Sequence, residues 1–394
     1  DNIIITKTAS PDLPGDVAGG VVQVLTKDVP DKDFLNIGVN LGYNTQSTFQ
    51  NFTSPSNNTA GTSLGLSNSN DRLPSAFGKN YQYYRSPSLS FEDRIAIAKT
   101  LPNSYGDVTK AALPNAAIQL SAGKTVHLKN GGKIGSIVGV SYRSSYTVRP
   151  ELIRGLYTAD KEINTYSVEK ANLYNSSLAA IANFAYVNGS TKISFKNLFN
   201  TIHDNTYYDR SGYSASASQQ FSLRSSVPSD RMIYSTQLEG DHNLGKTIKF
   251  NWNLNYSALN GKQHDLRTIY YSKGITNVRN DNTEYDVIDN PYQIVARNSR
   301  RFFSDLKDNN FGGNFNFSIP YNMFGEKQTF KFGYLGLYKS RDFQSRTFQY
   351  DIMQEDDHLK ELPYDQIFST ANLSETKFEL EEITYPTDDY KVNS

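Results

Sequence analysis

The sequence contains no cysteine, so disulfide frameworks and cysteine-based metal sites are excluded. Its mean hydropathy is −0.57 and no apolar run approaches the roughly 18 residues of a membrane-spanning helix, so a transmembrane helix is excluded. Neither charge sign is in excess, because 40 Lys and Arg balance 40 Asp and Glu. A nucleic-acid partner would favour a basic chain, so none is predicted.

Tyrosine and phenylalanine are abundant, with 27 Tyr and 22 Phe against one Trp and three Met. Asn, Ser, Thr and Gly are common in the rest of the chain. This mixture favours β-strands with one apolar face and one polar face. A membrane barrel built of such strands is compatible with low hydropathy, because its strands show only alternation and its loops are polar.

Apolar residues recur with a period of two in many segments. In residues 35–43 the odd positions are Leu, Ile, Val, Leu and Tyr, while Asn and Gly occupy the even positions. Residues 248–256 and 311–319 alternate in the same way. Helical spacing would scatter these side chains around a cylinder, so the pattern predicts strands.

The predicted strands form hairpins around short turns that carry Asn-Gly or Gly, which supply the positive φ of a tight turn. The paired segments are 118–128 with 134–146, 178–187 with 193–201, 231–241 with 248–258, and 311–319 with 328–338. Lys124 falls on the apolar side of its strand, where mid-membrane burial would cost roughly 2–4 kcal/mol. We therefore expect its ammonium to reach an interface, or the register to differ there.

Between the hairpins the sequence predicts long polar loops at about 44–114, 147–177, 203–230, 259–309 and 339–394, with residues 342–394 acidic and loop-like. Alternating short turns and long loops are typical of outer-membrane barrels, whose short turns are periplasmic and whose long loops are extracellular. The predicted fold is all-β, a partial transmembrane antiparallel β-barrel of about nine strands. A soluble β-sandwich is the alternative, although it seldom tolerates such loops.

The first 35 residues carry the most specific signal. Residues 3–8 (IIITKT), 10–16 (SPDLPGD) and 18–30 (AGGVVQVLTKDVP) resemble the end of the plug domain in TonB-dependent receptors of the Bacteroidetes type. Residues 31–34 (DKDF) resemble the hinge into the first barrel strand, and segments 40–49, 193–200 and 332–334 are similar to the same family. The plug-end motif consists of Pro11, Asp12, Pro14, Gly15, Gly19 and Gly20.

The resemblance implies two domains: residues 1–30 as the C-terminal end of a plug, and residues 31–394 as the N-terminal part of a barrel of roughly twenty-two strands. The chain is then expected to be a fragment that lacks the signal peptide, the TonB box, most of the plug and the later strands. The plug end differs from the starch-utilisation type, which tends towards Gly-Val-Ile-Leu-Ile-Thr-Thr-Lys, and this weakens the expectation of a lipoprotein lid.

The function that the resemblance implies is binding of an external nutrient and its import through a plugged barrel in the bacterial outer membrane. The implied partners are outer-membrane lipid and a TonB-type energy-coupling protein, which acts through the missing N-terminal region. A surface lipoprotein and a larger outer-membrane assembly are further candidates. Two alternatives remain open: a scaffold subunit of such an assembly, and a soluble carbohydrate-binding β protein.

Aromatic clusters are the best candidates for ligand contacts, because their rings can stack on sugars, peptides or a chelate. The alternative is a structural role, in an aromatic belt or in packing above the membrane. The candidate residues are Tyr83, Tyr84, Arg143, which is expected to face the lumen, Tyr207, Tyr208, Tyr270 and Tyr271.

No motif supports an enzyme. Residues 167–170 (SVEK) fit the β-lactamase nucleophile spacing but lie in a predicted loop and lack partner motifs. Residues 355–358 (EDDH) could bind a divalent cation, although a solvated charge cluster is the simpler interpretation. The five histidines show no ligand spacing, so neither a cofactor nor a metal is predicted.

Overall fold

The computed structural model describes residues 2–7, 21–27, 29–56, 60–67, 71–102, 106–159, 163–245, 247–278, 285–287, 291–354 and 356–394. The protein is all-β, with 66% strand and 9% helix. The strands are β1 Asn2–Thr6, β2 Val21–Leu25, β3 Phe34–Gly42, β4 Asn51–Pro55, β5 Asp107–Ala111, β6 Asn115–His127, β7 Lys133–Tyr157, β8 Ile163–Asn188, β9 Thr191–Ser214, β10 Gln219–Leu244, β11 Ile248–Val278, β12 Tyr285–Val287, β13 Gln293–Ile294, β14 Arg300–Met323, β15 Glu326–Ile352, β16 Phe378–Glu382 and β17 Tyr390–Asn393.

The helices are short: α1 Ala60–Ser63, α2 Tyr81–Tyr84, α3 Phe91–Ala98 and α4 Asp357–Lys360, with 3-10 turns at Ser75–Phe77, Ala296–Asn298, Thr370–Asn372 and Pro386–Asp388. Only α3 exceeds one turn, and Ser90 caps it by accepting a hydrogen bond from the Asp93 backbone N–H at 3.1 Å.

One antiparallel sheet dominates the molecule. Its strands follow the order β3-β6-β7-β8-β9-β10-β11-β14-β15-β16, so each long strand pairs with its neighbour in the chain. Nine of these ten strands correspond to the nine predicted from the sequence. Within the described residues β3 and β16 are the edges and the sheet is not closed. Strands β1 with β2, and β4 with β5, form two small separate two-stranded sheets.

The strands continue far beyond the predicted hairpins, so the expectation of long loops is wrong for most of 147–177, for most of 203–230, and for 259–278 and 300–309. Strand β7 has 25 residues and β11 has 31, which correspond to about 80–100 Å at about 3.3 Å per residue. Residues 167–170 lie inside β8, not in a loop. Past residue 201 β9 carries polar residues on both faces, as in residues 203–206 (HDNT), so a search for apolar periodicity stops too early.

Away from the irregularities near residues 149–157, 226–230 and 263–266, the ladders assign each side chain to one of two faces. One row of partners runs Ser136, Phe184, Phe195, Leu238 and Leu254 across five strands, and we call its side the apolar face. Lys124 pairs with Ser136 on this face, four residues before the turn that begins at Leu128. The predicted register is therefore confirmed at Lys124, and the residue lies near the short-turn end of its strand.

The opposite side, the polar face, carries Asn, Ser, Gly and charged residues. Asn183 on this face donates to Thr26 Oγ1 at 3.2 Å and to the Lys27 carbonyl at 3.3 Å. The segment that follows β2 therefore contacts the polar face.

The described residues within 44–114 and 353–394 form a second layer, which we call the loop layer, over the far end of the apolar face. Aromatic side chains from both segments pack against the sheet there. Phe77 and Tyr84 contact Phe348 of β15, and Phe368 stacks on Tyr350. The expectation that residues 342–394 form a polar loop is wrong, because β15 continues to Ile352 and the following residues contribute to this core.

A buried ion pair connects the sheet to the loop layer. The ladder between β11 and β14 is irregular between Gln263 and Leu266, and Asp265 within that bulge has a φ of 60°. The bulge directs the Asp265 carboxylate at Arg301 of β14, with two hydrogen bonds of 2.7 Å. Arg301 is fully buried and also donates to the Pro102 carbonyl at 3.0 Å.

Asp265→Asn should lower the free energy of unfolding by about 3–5 kcal/mol, because it leaves a buried guanidinium without its counter-charge. Asn also tolerates positive φ, so the backbone is not strained by the change. The measurement is urea unfolding followed by the fluorescence of Trp252, the only tryptophan. Arg297→Ala, which removes an exposed pair with Asp351, is the control and should leave the midpoint unchanged. Equal midpoints for the two variants would contradict the prediction.

Candidate functional site

The apolar face has two zones. On β7 the loop layer first contacts the sheet at Tyr142, whose hydroxyl donates to the Ser63 carbonyl at 2.7 Å. On β9 it first contacts the sheet at Thr201, which donates to the Gly65 carbonyl at 2.5 Å. The uncovered stretches are thus residues 133–141 of β7 and 191–200 of β9, nine and ten residues, which we call the bare zone. Nine to eleven residues is the usual length of a transmembrane β-strand.

The bare zone exposes large apolar side chains on neighbouring strands. Val140 is 50% exposed, Phe195 44%, Leu254 57% and Phe315 40%. Exposed apolar side chains in such a continuous band mark a surface that contacts lipid or protein rather than water.

Aromatic residues line the bare zone on β11, β14 and β15. Near the loop layer, Tyr256 packs on Phe311 with ring centroids 4.6 Å apart. Near the short turns, Phe317 stacks on Phe332 at 5.0 Å and on Phe250 at 4.5 Å. Trp252, Phe315 and Tyr334 lie between these two groups. Aromatic side chains at the two ends of an apolar band also occur at the membrane interfaces of outer-membrane barrels.

The polar face carries charged groups paired across strands. Asp204 accepts hydrogen bonds from Asn175 and Arg231, both at 2.6 Å. Lys196 and Glu239 are 2.5 Å apart.

Glu169 on the same face binds Arg210, and Arg154 lies 3.5 Å from its other oxygen. Such a surface, rich in paired charges and amides, suits contact with water, a polar solute or a plug rather than an apolar core.

The two tyrosines of α2 that were predicted as ligand contacts differ in their exposure. Tyr84 is 1% exposed, and its hydroxyl donates to the Leu380 carbonyl at 3.0 Å. Burial raises the pKa of that hydroxyl, so it remains a donor. Tyr83 is 46% exposed and is therefore accessible to a ligand. The burial of Tyr84 favours the structural alternative for this residue.

The predicted pairs Tyr207-Tyr208 and Tyr270-Tyr271 are also divided, because consecutive residues of a strand point to opposite faces. Tyr207 and Tyr271 are buried beneath the loop layer, where Tyr207 donates to Asp107 at 3.2 Å and Tyr271 donates to the Leu362 carbonyl. Tyr208 and Tyr270 lie on the polar face and are half-buried. Of these four residues, only Tyr208 and Tyr270 therefore lie on the polar face.

Arg143 lies on the polar face, as expected, and is exposed between its partners Ala117 and Ser177. It forms no hydrogen bond or ion pair with any described residue. Arg143 is accordingly the predicted ligand-contact residue most open to an anionic group.

The plug-end motif, Pro11, Asp12, Pro14, Gly15, Gly19 and Gly20, lies outside the described residues. Of the acidic cluster at 355–358, Asp356 caps α4 by accepting from the Leu359 backbone N–H at 3.2 Å. The described residues contain no group of three or more side chains that could hold a metal ion. No helix among them is both long and apolar enough to cross a membrane.

Sequence reasoning missed the ion pairs that join distant strands. Arg346 of β15 binds Glu382 of β16 and donates to the Phe77 carbonyl at 3.2 Å, which ties the two parts of the loop layer together. His203 and Asp230 are buried together at 2.7 Å. A charged residue in an otherwise alternating strand is the only sequence signal for such pairs, and it does not name the partner.

Tyr84→Ala should loosen the loop layer, because it removes a buried ring and the hydrogen bond to the Leu380 carbonyl; truncation of a buried aromatic costs about 3–5 kcal/mol. The measurement is limited proteolysis, with cleavage expected within residues 71–102 at a higher rate than in the wild type. Tyr83→Ala, the exposed neighbour, is the control and should be cleaved at the wild-type rate. Equal cleavage rates for the two variants would show that Tyr84 does not anchor the layer.

Comparison with known proteins identifies no relative: no family model matches the chain, and no curated protein matches it.

Proposed function

We propose that this chain is part of a TonB-dependent outer-membrane receptor of the Bacteroidetes type, which binds an external nutrient and imports it through a plugged barrel. The observation that carries the proposal is the bare zone, an apolar band about nine residues tall between the short turns and the loop layer. The resemblance of the first 35 residues to a plug end supports the same assignment.

The backbone arrangement supports a membrane location. A strand in lipid must satisfy its N–H and C=O groups within the protein, and in the bare zone the ladders do this for β7 to β11 and for β14. The open edges there are β3 and β15, because β16 and β17 pair with β15 only at residues 348–352 and 340–343, so these two edges need partners in lipid. In this proposal the further strands of a barrel of roughly twenty-two supply them.

The two faces then have different roles. The bare zone contacts lipid, the short turns lie on the periplasmic side, and the loop layer lies outside the cell. The polar face lines the lumen, and the contact between Asn183 and residues 26–27 agrees with a plug on that side. The chain carries out no bond chemistry. A solute passes along amides and charges when a TonB-type partner pulls on the plug.

A charge placed on the bare zone tests the membrane location. Leu254→Arg should reduce the fraction that folds into phospholipid vesicles, because Arg near the bilayer midplane costs about 2–4 kcal/mol. The measurement is urea-dependent folding into vesicles, read as a mobility shift of unheated samples in gels. Asn255→Arg introduces the same charge on the polar face of the same strand and should fold normally. Equal folding of the two variants would contradict a lipid-facing bare zone.

Isolation of the full-length protein from native outer membranes tests the transport assignment. Native mass spectrometry without removal of partners should detect a bound small molecule or a single lipoprotein. A stable multi-protein assembly with no bound solute would instead favour a scaffold subunit. Release of the protein into buffer without detergent would contradict both.

A further inference from the structure

A polar cavity of about 440 Å³ lies at the border between the bare zone and the loop layer. Its floor is formed by β11, β14 and β15 on the apolar face, and its rim by loop-layer residues between 72 and 80 and by Asp389. Phe303, which packs on Phe348 under the loop layer, is at one end, and Lys307 is at the other. We call it the border cavity.

Five basic residues line the border cavity, against three carboxylates. Arg346 is already bound to Glu382. The remaining four, Arg72, Lys79, Lys262 and Lys307, form no hydrogen bond or salt bridge with any described residue.

The three carboxylates, in contrast, are engaged. Asp305 binds His264 at 3.1 Å. Burial raises the pKa of the Asp305 carboxyl, but the hydrogen bond to His264 and the nearby lysines lower that pKa further, so it lies below its usual range. Asp389 accepts from the Ser345 backbone N–H at 2.8 Å, and Asp342 is 3.8 Å from Lys391. With five basic residues against three carboxylates, the border cavity carries an excess of positive charge.

A second cavity lies below the first on the same strands. Gly313 of β14 and Gly336 of β15 are direct partners, and Leu254 of β11 is the other neighbour of Gly313. Two adjacent residues without side chains leave a depression of about 670 Å³ among Trp252, Phe315 and Tyr334. We call it the glycine groove, and its walls are almost wholly apolar side chains.

The two cavities lie in line. Lys307 and Gly313 are six residues apart on one face of β14, whose ladder to β15 is regular from end to end. Six residues span about 20 Å along the strand. With the usual barrel tilt of about 35–45°, this corresponds to a depth of about 15 Å, close to one leaflet of a hydrocarbon core about 30 Å thick.

We propose that these cavities form one binding site for an anionic lipid with a phosphorylated headgroup. The headgroup occupies the border cavity, and an acyl chain runs down β14 into the glycine groove. Basic pockets beside membrane-spanning segments bind such headgroups. The inference rests on the proposed membrane location and adds to it a defined lipid partner for the outer surface of the sheet.

The test is a titration of the full-length protein in detergent, followed by native mass spectrometry, with phosphatidylglycerol and phosphatidylcholine of identical acyl chains as probes. Wild type should retain phosphatidylglycerol preferentially. Lys262→Ala with Lys307→Ala should weaken that retention by about tenfold or more, because each basic residue contributes to anionic-lipid binding. The control is Lys249→Ala with Lys331→Ala, which removes the same charge from the polar face of β11 and β15. Equal losses in the two double variants would overturn the proposal.

The acyl chain is tested separately. Gly336→Leu fills the glycine groove and should weaken binding of long-chain phosphatidylglycerol while sparing the dihexanoyl form. Glycerol phosphate, which has the headgroup charge but no chain, should compete only at much higher concentration. Competition at the same concentration as the lipid would reveal an anion pocket and overturn the lipid site.

The two proposals fail in different ways. A protein that folds into vesicles but binds both phospholipids equally would overturn the lipid site and leave the receptor assignment intact. A protein that stays in solution without detergent would overturn both.

Discussion

The antiparallel ladder is the constraint on which the rest of the structure depends. Because the pairs β8-β9, β9-β10 and β14-β15 each keep one register over more than twenty residues, the face of a side chain on these strands is set by parity. One bulge in this ladder has a specific effect, since it directs Asp265 at Arg301 beneath the loop layer. A shift of the register by one residue would exchange the apolar and polar faces along a whole strand. The register therefore determines that the sheet has one apolar and one polar face.

The strand pairs, the short turns and the two faces could all be predicted, because residues such as Leu35, Ile37 and Val39 alternate with polar neighbours. The extensions and the loop layer could not. In the far half of β9, His203, Asn205 and Tyr207 face the loop layer, and their burial depends on residues far away in the chain. Polar residues become core residues only when a partner satisfies them, as Asp230 does for His203, and single-strand periodicity carries no information on partners.

The same limit applies to the candidate ligand contacts. The sequence marks Tyr207-Tyr208 and Tyr270-Tyr271 as equivalent pairs, yet strand geometry sends one member of each pair under the loop layer and the other to the polar face. Arg143 could be placed correctly because its strand alternates clearly, whereas the environment of Tyr84 depends on Leu380, 296 residues away. The face on which a side chain lies can be predicted from the local sequence pattern, whereas the burial of that side chain cannot.

The contrast between the two zones of the apolar face bears most directly on function. Where the loop layer covers the sheet, Phe303, Phe348 and Tyr350 are almost fully buried, because exposure of such rings to water is unfavourable. Where the cover stops, Phe315 and Leu254 remain exposed on the same strands. The apolar face therefore has aromatic residues that are covered in one zone and exposed in the other, which indicates two different environments along the same face. In the proposed receptor, water outside the cell and lipid within the membrane account for that difference. Lys262 and Lys307 lie at the border between the two zones.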